Sequence, residues 1–353
     1  HTLMRGNVMK TIVLTGGGTA GHVLPALAIV PELKKRFDRI CYIGGSGVEK
    51  TLAEDAELPY FETETAKFRR SLSLQNLAIP FKLIKGVKEA TEHLKRLKPA
   101  VVFGKGGYVS LPSVIAAKKL GIPVVVHESD FSLGLANKIA EKHFGAKVLT
   151  AYPETAAENP SRIFVGFPLR DSLFTGQKER AARFLEFDGS RPVLLVVGGS
   201  SGSVAINEAV KAALPKLLET YDVVHVMGKN SLRYSDSPHY KPIAYSEAIE
   251  NLYALADVVV SRAGAGAVSE LSALEKSAVL IPLPAGASRG DQLDNAYYAK
   301  KYGAVVLEQA DLSTKTLLAA IAEAKSVKMR PMSPPANKKI ADILFAVANG
   351  NVR

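Results

Sequence analysis

The sequence predicts two α/β domains, each built on a doubly wound parallel sheet with helices on both faces. The chain has 353 residues, and single hydrophobic cores stop growing at roughly 250–300 residues, so two domains are expected. Short runs rich in Val and Ile alternate with helical stretches, and they are continuously apolar, as in strands buried on both faces. Both halves repeat the order of apolar run, glycine-rich turn and helix, which indicates two similar Rossmann-like domains.

The predicted domain boundary lies at residues 164–170, where a glycine and a proline interrupt the order of strands and helices. We therefore expect an N-terminal domain over 9–165 and a C-terminal domain over 166–335. Residues 336–353 contain an amphipathic stretch, which is a candidate to pack back on the N-terminal domain as a helix. Ligands of open α/β sheets bind beyond the carboxyl ends of the strands, so the two domains are expected to face an interdomain cleft.

Three glycine-rich segments follow predicted strands. Residues 16–21 read GGGTAG, residues 104–107 read GKGG and residues 198–202 read GGSSG. Glycine lets the backbone turn sharply and approach a phosphate, and a following helix offers free N–H groups and a partial positive charge. Together the three segments favour a nucleotide or diphosphate ligand over plain tight turns.

A dinucleotide-dependent oxidoreductase is the first alternative, but it requires an acidic residue at the end of the second strand to hold a ribose. That strand ends instead at Gly44 and Gly45. The sequence also lacks a Walker loop, a zinc-ligand spacing, a hydrolase elbow and a DxD pair. Backbone amides and helix dipoles would then neutralise a bound diphosphate. We expect no metal centre and no required cofactor, and a divalent cation, if used, has no assigned ligands.

The net charge of +11 is concentrated in one region, since residues 65–105 contain ten basic and two acidic side chains. Basic residues interleaved with apolar ones suit an anionic membrane surface, where each cation contributes about 1 kcal/mol. The alternative is a helical hairpin that packs on its own domain. No nucleic-acid-binding motif appears. The residues expected at the membrane are Lys67, Arg69, Arg70, Leu77, Ile79, Phe81, Lys82 and Lys85.

Seven motifs, in order, resemble those of the MurG family, the bacterial lipid-II-forming N-acetylglucosaminyltransferases. The resemblance extends from Met9 to the C-terminus. The motifs are GGGTAGHVLPALA, FGKGGYVSLPSVIAA, HESDFSLGLANK, GFPLR, GGSSGSVAIN, SRAGAGAVSEL and ASRGDQLDNA.

The resemblance implies the glycosyltransferase B fold and transfer of N-acetylglucosamine, with inversion, from UDP-GlcNAc to the C4 hydroxyl of undecaprenyl-diphosphate-linked N-acetylmuramoyl peptide. This step converts lipid I to lipid II in peptidoglycan synthesis. It also implies a peripheral enzyme at the cytoplasmic face of the bacterial membrane, with UDP-GlcNAc, lipid I and the anionic inner-membrane surface as partners. Other proteins of cell-wall synthesis are candidate partners, and nucleic acid is not expected.

The resemblance places the donor site mainly in the second half of the chain. Glu270 would accept hydrogen bonds from the two ribose hydroxyls, because a carboxylate offers two oxygens to a vicinal diol. The donor-binding residues implied in this way are Arg170, Ser200, Tyr245, Ser246, Ile249, Glu270, Gln292 and Asn295.

His22 is the first candidate for the general base, because an imidazole has a pKa of about 6.5. Many family members have Gln-Asn where this chain has Ser129 and Asp130, so Asp130 is a second candidate, or a group that raises the pKa of His22. Phe167 replaces an asparagine of the family pattern. The residues implied at the acceptor and phosphate loops are Thr19, Gly21, Gly106, Gly107, His127 and Asn137.

Three other functions fit the same fold: a UDP-GlcNAc 2-epimerase, a UDP-sugar transferase with another acceptor, and a non-catalytic UDP-sugar sensor. An epimerase needs neither a membrane-facing segment nor a lipid-linked acceptor, so the basic apolar segment argues against it.

Overall fold

The structure is a computed structural model that describes residues 9–65, 79–199, 202–228, 237–286 and 290–351. The chain divides into two compact units. Unit 1 comprises residues 1–170 and 333–353, and unit 2 comprises residues 171–332. The first division lies between Arg170 and Asp171, at the end of the 164–170 segment. The second lies between Met332 and Ser333, so unit 1 resumes three residues before the start expected for the C-terminal segment.

Unit 1 is built on a seven-stranded sheet in the order β3-β2-β1-β4-β5-β6-β7, in which every neighbouring pair is parallel. Its strands are β1 (Thr11–Thr15), β2 (Arg39–Gly44), β3 (Tyr60–Glu62), β4 (Val101–Gly104), β5 (Val124–Glu128), β6 (Lys147–Thr150) and β7 (Ile163–Phe164). The order reverses between β1 and β4, which is the topological switch point where ligands of such sheets bind.

Helices lie between these strands in the described part of the chain. They are α1 (Ala20–Ala28), α2 (Val30–Lys34), α3 (Val48–Asp55), α4 (Ile79–Leu97), α5 (Leu111–Lys119), α6 (Leu135–Phe144) and α7 (Pro153–Ala157). Proline stands at the first or second position of α2, α5 and α7, where its missing N–H costs nothing and its fixed φ suits a helix start.

The sheet of unit 1 is buried on both faces, as its continuously apolar strands predict. Ile12 and Leu14 of β1 lie in one apolar cluster, whereas Val13 between them lies in the cluster on the opposite face. All five residues of β1 are buried. The prediction of a parallel sheet covered on both sides is therefore confirmed for unit 1.

Unit 2 repeats the design with a six-stranded parallel sheet in the order β10-β9-β8-β11-β12-β13. Its strands are β8 (Val193–Val197), β9 (Asp222–Val226), β10 (Tyr240–Ile243), β11 (Val258–Ser261), β12 (Ser277–Leu280) and β13 (Val305–Val306). Its helices are α8 (Lys178–Phe184), α9 (Val204–Leu217), α10 (Ile249–Leu255), α11 (Ala265–Ala273), α12 (Asp291–Lys300) and α13 (Thr314–Lys325). None of the helices in the described part of the chain combines the length and apolar character needed to cross a membrane.

The C-terminal helix α14 (Asn337–Ala348) belongs to unit 1. Ile340 and Leu344 are fully buried in the same apolar cluster as β1. Asn337 fixes the start of the helix, because its amide nitrogen donates to the carbonyls of Ala28 at 3.0 Å and Leu169 at 2.6 Å. Its amide oxygen accepts from the Leu169 N–H at 3.0 Å. The end of the chain thus completes the core formed by the first half.

We expect Leu344→Ala to lower the free energy of unfolding by about 2–5 kcal/mol, because the substitution leaves a cavity in a close-packed cluster. Urea denaturation followed by circular dichroism would measure the change. Lys338→Ala, on the exposed side of the same helix, is the matched control and should change the free energy of unfolding by less than about 0.5 kcal/mol. Equal effects of the two variants would show that α14 is not part of the core.

Candidate active site

The glycine loop after β1 is fitted tightly to a buried carboxylate. Gly17 and Gly18 have φ values of +154° and +83°, and the Gly18 N–H donates to Glu49 Oε2 at 3.1 Å. Glu49 is 1% exposed. A Cβ at Gly17 would lie 2.6 Å from the Glu49 carboxyl carbon, and one at Gly18 would lie 2.8 Å from the Tyr108 ring. Only glycine fits these two positions without movement of their neighbours.

The second loop, after β4, contacts the first through the backbone. Gly106 and Gly107 have φ values of +82° and +74°. A Cβ at Gly107 would lie 2.5 Å from the carbonyl oxygen of Gly17. Because the two backbones approach so closely, the structure brings both predicted phosphate loops of unit 1 to one place at the carboxyl edge of the sheet.

His22 lies beside this junction. It is partly buried in the first turn of α1, and a Cβ at Gly107 would lie 3.3 Å from its Cδ2. Its N–H donates to the Thr19 carbonyl at 3.1 Å. Thr19 and Gly21 are exposed at the start of the helix. The predicted acceptor residues on this loop are therefore adjacent to the GKGG loop.

Lys105 lies inside unit 1, although it occupies a loop. Its side chain is 1% exposed, and its Nζ donates to His127 Nδ1 at 2.6 Å and to Ser129 Oγ at 2.6 Å. The ammonium also lies 5.4 Å from the centre of the Phe167 ring. Burial lowers the pKa of Lys105 to about 7, although the charges of Glu128 and Asp130 oppose that shift.

His127, which is predicted at the acceptor loops, is a buried partner of this lysine. Its ring is 0% exposed. Nε2 lies 2.9 Å from the Gly166 carbonyl oxygen, which can only accept, so Nε2 carries the hydrogen and Nδ1 accepts from Lys105. Burial, together with the Lys105 charge, holds the pKa of His127 well below its usual value. The imidazole is therefore neutral, and it orients Lys105.

Glu128 organises the loop between β5 and α6. Its Oε1 accepts from the N–H groups of Ser129 at 2.9 Å and Asp130 at 3.1 Å. Its Oε2 accepts from the Gly134 N–H at 2.8 Å and from Asn137 Nδ2 at 2.9 Å. Four donors around one buried carboxylate fix the position of Asp130, the second candidate base, which is itself only partly buried.

Asn137 also forms its hydrogen bonds in the interior of unit 1. It is 3% exposed, and besides Glu128 its Nδ2 contacts the His127 carbonyl oxygen at 3.2 Å. Its amide lies under Gly106, where a Cβ would be 3.3 Å from Nδ2. Asn137 thus supports the glycine loop from beneath, and its predicted substrate contact stays a prediction.

In unit 2 the glycine loop after β8 leads into α9. Gly202 has a φ of +76°, and a Cβ there would lie 2.1 Å from the Met227 carbonyl oxygen. That carbonyl also accepts from Asn207 Nδ2 at 3.1 Å. Ser203 caps α9, because its Oγ accepts from the Ile206 N–H at 3.3 Å. A capped helix start directly after a glycine loop offers N–H groups and a partial positive charge to an anion.

Arg262, directly after β11, stabilises the start of α9 through a hydrogen bond to the capping residue Ser203. It is 8% exposed, and its Nη2 donates to Ser203 Oγ at 2.6 Å and to Gln309 Oε1 at 2.7 Å. Its Nη1 donates to the carbonyls of Ile281 at 3.0 Å and Pro282 at 3.3 Å. Burial lowers its pKa from the usual value, but a guanidinium stays charged.

The predicted donor-binding residues on α11 and α12 differ in their exposure. Glu270 on α11 and Gln292 on α12 are partly buried. The Gln292 amide oxygen accepts from the Leu283 N–H at 3.0 Å, so its amide nitrogen is the end that could bind a hydroxyl. Asn295 is 0% exposed, and its Nδ2 contacts the Ala263 carbonyl oxygen at 3.3 Å. Asn295 therefore contacts the turn after β11 from the interior, and its predicted role in donor binding stays a prediction.

The segment from the end of β10 to the start of α10 contains three of the predicted donor-binding residues, Tyr245, Ser246 and Ile249. Tyr245 is 55% exposed, whereas Ser246 and Ile249 are partly buried. Arg170 is partly buried at the end of the first segment of unit 1. The predicted donor-binding residue Ser200 lies outside the described residues.

The predicted membrane residues that the structure describes lie at the start of α4. Phe81 and Ile84 are 75% and 68% exposed. Lys82 and Lys85 pair with Glu64 at 3.7 Å and 3.3 Å. Ile79 is partly buried. The predicted membrane residues Lys67, Arg69, Arg70 and Leu77 lie outside the described residues.

Sequence reasoning missed Lys105, Glu128, Glu49 and Arg262 as organising residues. Each is an ionisable residue close to a glycine-rich turn or to the carboxyl end of a strand, and that position was the available signal. Within the described ranges, no group of His, Cys, Asp and Glu side chains could hold a metal ion.

The chain is similar to known glycosyltransferases over most of its length. Residues 12–148 match the glycosyltransferase family 28 N-terminal domain, and residues 193–346 match the glycosyltransferase family 28 C-terminal domain. A UDP-N-acetylglucosamine--N-acetylmuramyl-(pentapeptide) pyrophosphoryl-undecaprenol N-acetylglucosamine transferase of Lachnospira eligens is 46% identical, over 89% of this chain and 90% of the relative. The transferase of the same name from Lachnoclostridium phytofermentans is 45% identical over the same shares.

Among solved structures, MurG of Acinetobacter baumannii superposes with a TM-score of 0.71 at 28% identity, over 95% of this chain and 99% of that one. Two doubly wound sheets with glycine loops at their carboxyl edges, combined with these matches, define a glycosyltransferase of the glycosyltransferase B fold. The chain belongs to the MurG family, as its seven motifs predict.

We expect Gly202→Ala to destabilise the protein more than Gly199→Ala. Both glycines have positive φ, at +76° and +90°, so both variants carry a strain of about 1–2 kcal/mol. Only the Gly202 variant must also displace the Met227 carbonyl, which adds about 1–3 kcal/mol, whereas a Cβ at Gly199 meets open space. Urea unfolding of both variants would measure the difference, and equal losses would contradict the close backbone approach.

Proposed function

We propose that this protein transfers N-acetylglucosamine, with inversion, from UDP-GlcNAc to the C4 hydroxyl of undecaprenyl-diphosphate-linked N-acetylmuramoyl peptide, converting lipid I to lipid II in peptidoglycan synthesis. The observation that carries the proposal is 46% identity over 89% of the chain to a relative named for this transfer. The glycine loops at the carboxyl edge of each sheet support it, because the reaction joins two substrates that both contain a diphosphate.

In this proposal unit 2 binds the donor. The diphosphate of UDP-GlcNAc lies at the 198–202 loop and the capped start of α9, where helix N–H groups and the helix dipole favour negative charge. Arg262 adds a positive charge behind the Ser203 cap. Glu270 accepts hydrogen bonds from the ribose hydroxyls, and the Gln292 amide nitrogen donates to a hydroxyl of the sugar.

Unit 1 binds the acceptor. The acceptor oxygen forms a bond to C1 of the donor sugar while the bond from C1 to the diphosphate oxygen breaks, and that oxygen keeps the electron pair. The hydroxyl proton passes to a base of unit 1, for which His22 is the first candidate and Asp130 the second. Positive charge near the diphosphate stabilises the departing UDP, since negative charge accumulates there in the transition state.

We also propose that the enzyme is peripheral to the cytoplasmic face of the bacterial membrane and docks through the start of α4. Phe81 and Ile84 expose apolar side chains beside Lys82 and Lys85. The exposed ion pairs to Glu64 are weak, at about 0–1 kcal/mol, so both lysines can exchange Glu64 for anionic lipid. Docking at this face would also bring the lipid-linked acceptor to unit 1.

Turnover of UDP-GlcNAc with a short-chain lipid I analogue tests the proposed reaction. Wild type should release UDP only when the acceptor is present. Glu270→Ala should raise the donor KM by at least about tenfold, because it removes a charge-assisted contact with the ribose. Of His22→Ala and Asp130→Asn, the base variant should lose at least about 100-fold in kcat with donor binding intact. Equal release of UDP without acceptor would overturn the proposal and favour an epimerase.

Co-sedimentation with anionic phospholipid vesicles tests the docking face. We expect Phe81→Ser combined with Ile84→Ser to weaken vesicle binding by at least about tenfold, since burial of two apolar side chains is lost. Phe184→Ser is the matched control, because Phe184 is 77% exposed on α8 of unit 2. An equal loss in the control, or no loss in the double variant, would show that α4 does not meet the membrane.

A further inference from the structure

Units 1 and 2 each place a buried cation at the same point of their sheets. In unit 1, β4 pairs with β1 on the side away from β2, and in unit 2, β11 holds that position beside β8. Lys105 directly follows β4, and Arg262 directly follows β11. Each reaches across to the carboxyl end of the next strand, Lys105 to His127 of β5 and Arg262 to the Ile281 carbonyl after β12.

Both cations have only neutral hydrogen-bond partners in the described part of the chain. Lys105 donates to a neutral imidazole and a hydroxyl, and Arg262 donates to a hydroxyl, an amide oxygen and two carbonyls. Neither forms an ion pair with a carboxylate among these residues. A buried charge without a directly paired carboxylate is costly, and an apolar residue of the same shape would serve the fold better.

Both cations also lie directly behind glycine loops. Lys105 is part of the GKGG loop, its N–H donates to the Thr15 carbonyl at 2.8 Å, and a Cβ on Gly16 would be 3.2 Å from its own Cβ. Arg262 holds the Ser203 hydroxyl that caps α9. A charge in the low-dielectric interior acts over several ångströms with little screening, so neither cation needs to touch a ligand bound at its loop.

We propose that Lys105 is a positioning residue whose charge, placed behind the glycine loops of unit 1, stabilises the diphosphate of the lipid-linked acceptor, as Arg262 stabilises the diphosphate of the donor in unit 2. The inference rests on the proposed function and adds to it a residue for the acceptor side. It also gives a functional reason for a buried lysine in the loop after β4.

The charge of Lys105 depends on pH near neutrality. Burial lowers its pKa to about 7, and a bound anion raises that pKa, so binding takes up a proton. Acceptor affinity is therefore greatest below pH 7 and falls as pH rises from about 7 through the pKa of the complex. The titratable groups that face Lys105 are His127 and Glu128 on β5 and Asp130 in the following loop. His127, whose pKa is well below its usual value, does not change charge in this range.

The first test uses Lys105→Met, which removes the charge and keeps an unbranched side chain of similar length. The KM for a short-chain lipid I analogue should rise at least about tenfold, while the KM for UDP-GlcNAc changes less than about twofold. Circular dichroism and thermal unfolding would show that the variant folds. An unchanged acceptor KM in a folded variant would overturn the inference while leaving the proposed function in place.

The second test separates charge from structure by measuring, with isothermal titration calorimetry, the direct binding of a short-chain prenyl diphosphate, the monophosphate and the alcohol. Lys105→Met should weaken binding of the diphosphate most and binding of the alcohol least. If Lys105 is purely structural, the substitution should weaken binding of all three compounds equally, and that result would refute the proposal. The corresponding series for Arg262→Gln is UDP, UMP and uridine. Arg191→Gln is its control, because Arg191 lies at the amino end of the same sheet, next to Asp222.

The third test needs no variant and so does not depend on Lys105→Met folding. Above about pH 7.5 a phosphate group is fully ionised. Between about pH 7.5 and 9.5 the wild type should therefore lose affinity for the prenyl diphosphate but not for the prenyl alcohol. A flat profile for the diphosphate would contradict the inference. Absence of acceptor-dependent turnover by the wild type would instead contradict the proposed function, because these direct binding measurements do not depend on turnover.

Discussion

The close approach of the Gly107 backbone to the Gly17 carbonyl is the contact on which the candidate chemistry of unit 1 depends. A Cβ at Gly107 would lie 2.5 Å from that oxygen, so the two loops can meet only because residue 107 is glycine. Their junction sets the position of His22 on one side and of Lys105 on the other. Unit 2 has the same constraint between Gly202 and the Met227 carbonyl, and the start of α9 depends on it.

Ser129 and Phe167, two positions at which the motifs differ from the pattern that the resemblance implies, both contact Lys105. The Ser129 hydroxyl accepts from the Lys105 ammonium at 2.6 Å. The Phe167 ring lies 5.4 Å from the same ammonium, a distance at which a cation is attracted to an aromatic face. Asp130 contributes a negative charge that opposes the fall in the pKa of Lys105. These residues therefore form one environment around a buried charge.

Buried polar groups do much of the positioning in both units. Glu128 is surrounded by four donors, His127 joins Lys105 to the Gly166 carbonyl, and Asn207 links Met227 to His225 at 2.9 Å. Burial lowers the pKa of His225 to about 4, so that ring is neutral as well. In a low-dielectric interior each missing partner leaves a group unsatisfied at about 1–3 kcal/mol. Such networks hold loops in one conformation, which the proposed binding of a diphosphate in each unit requires.

The sequence alone determined the two parallel sheets, the glycine loops and the family, because these depend on local apolar runs, on glycines at fixed spacing and on ordered motifs. It did not determine which polar side chains face a ligand. His127, Asn137 and Asn295 were expected at the substrate, and tertiary structure placed all three in the interior. Burial depends on packing between segments distant in the chain, as when Lys105 meets His127 or α14 completes the core around β1, and one-dimensional spacing carries no record of those contacts.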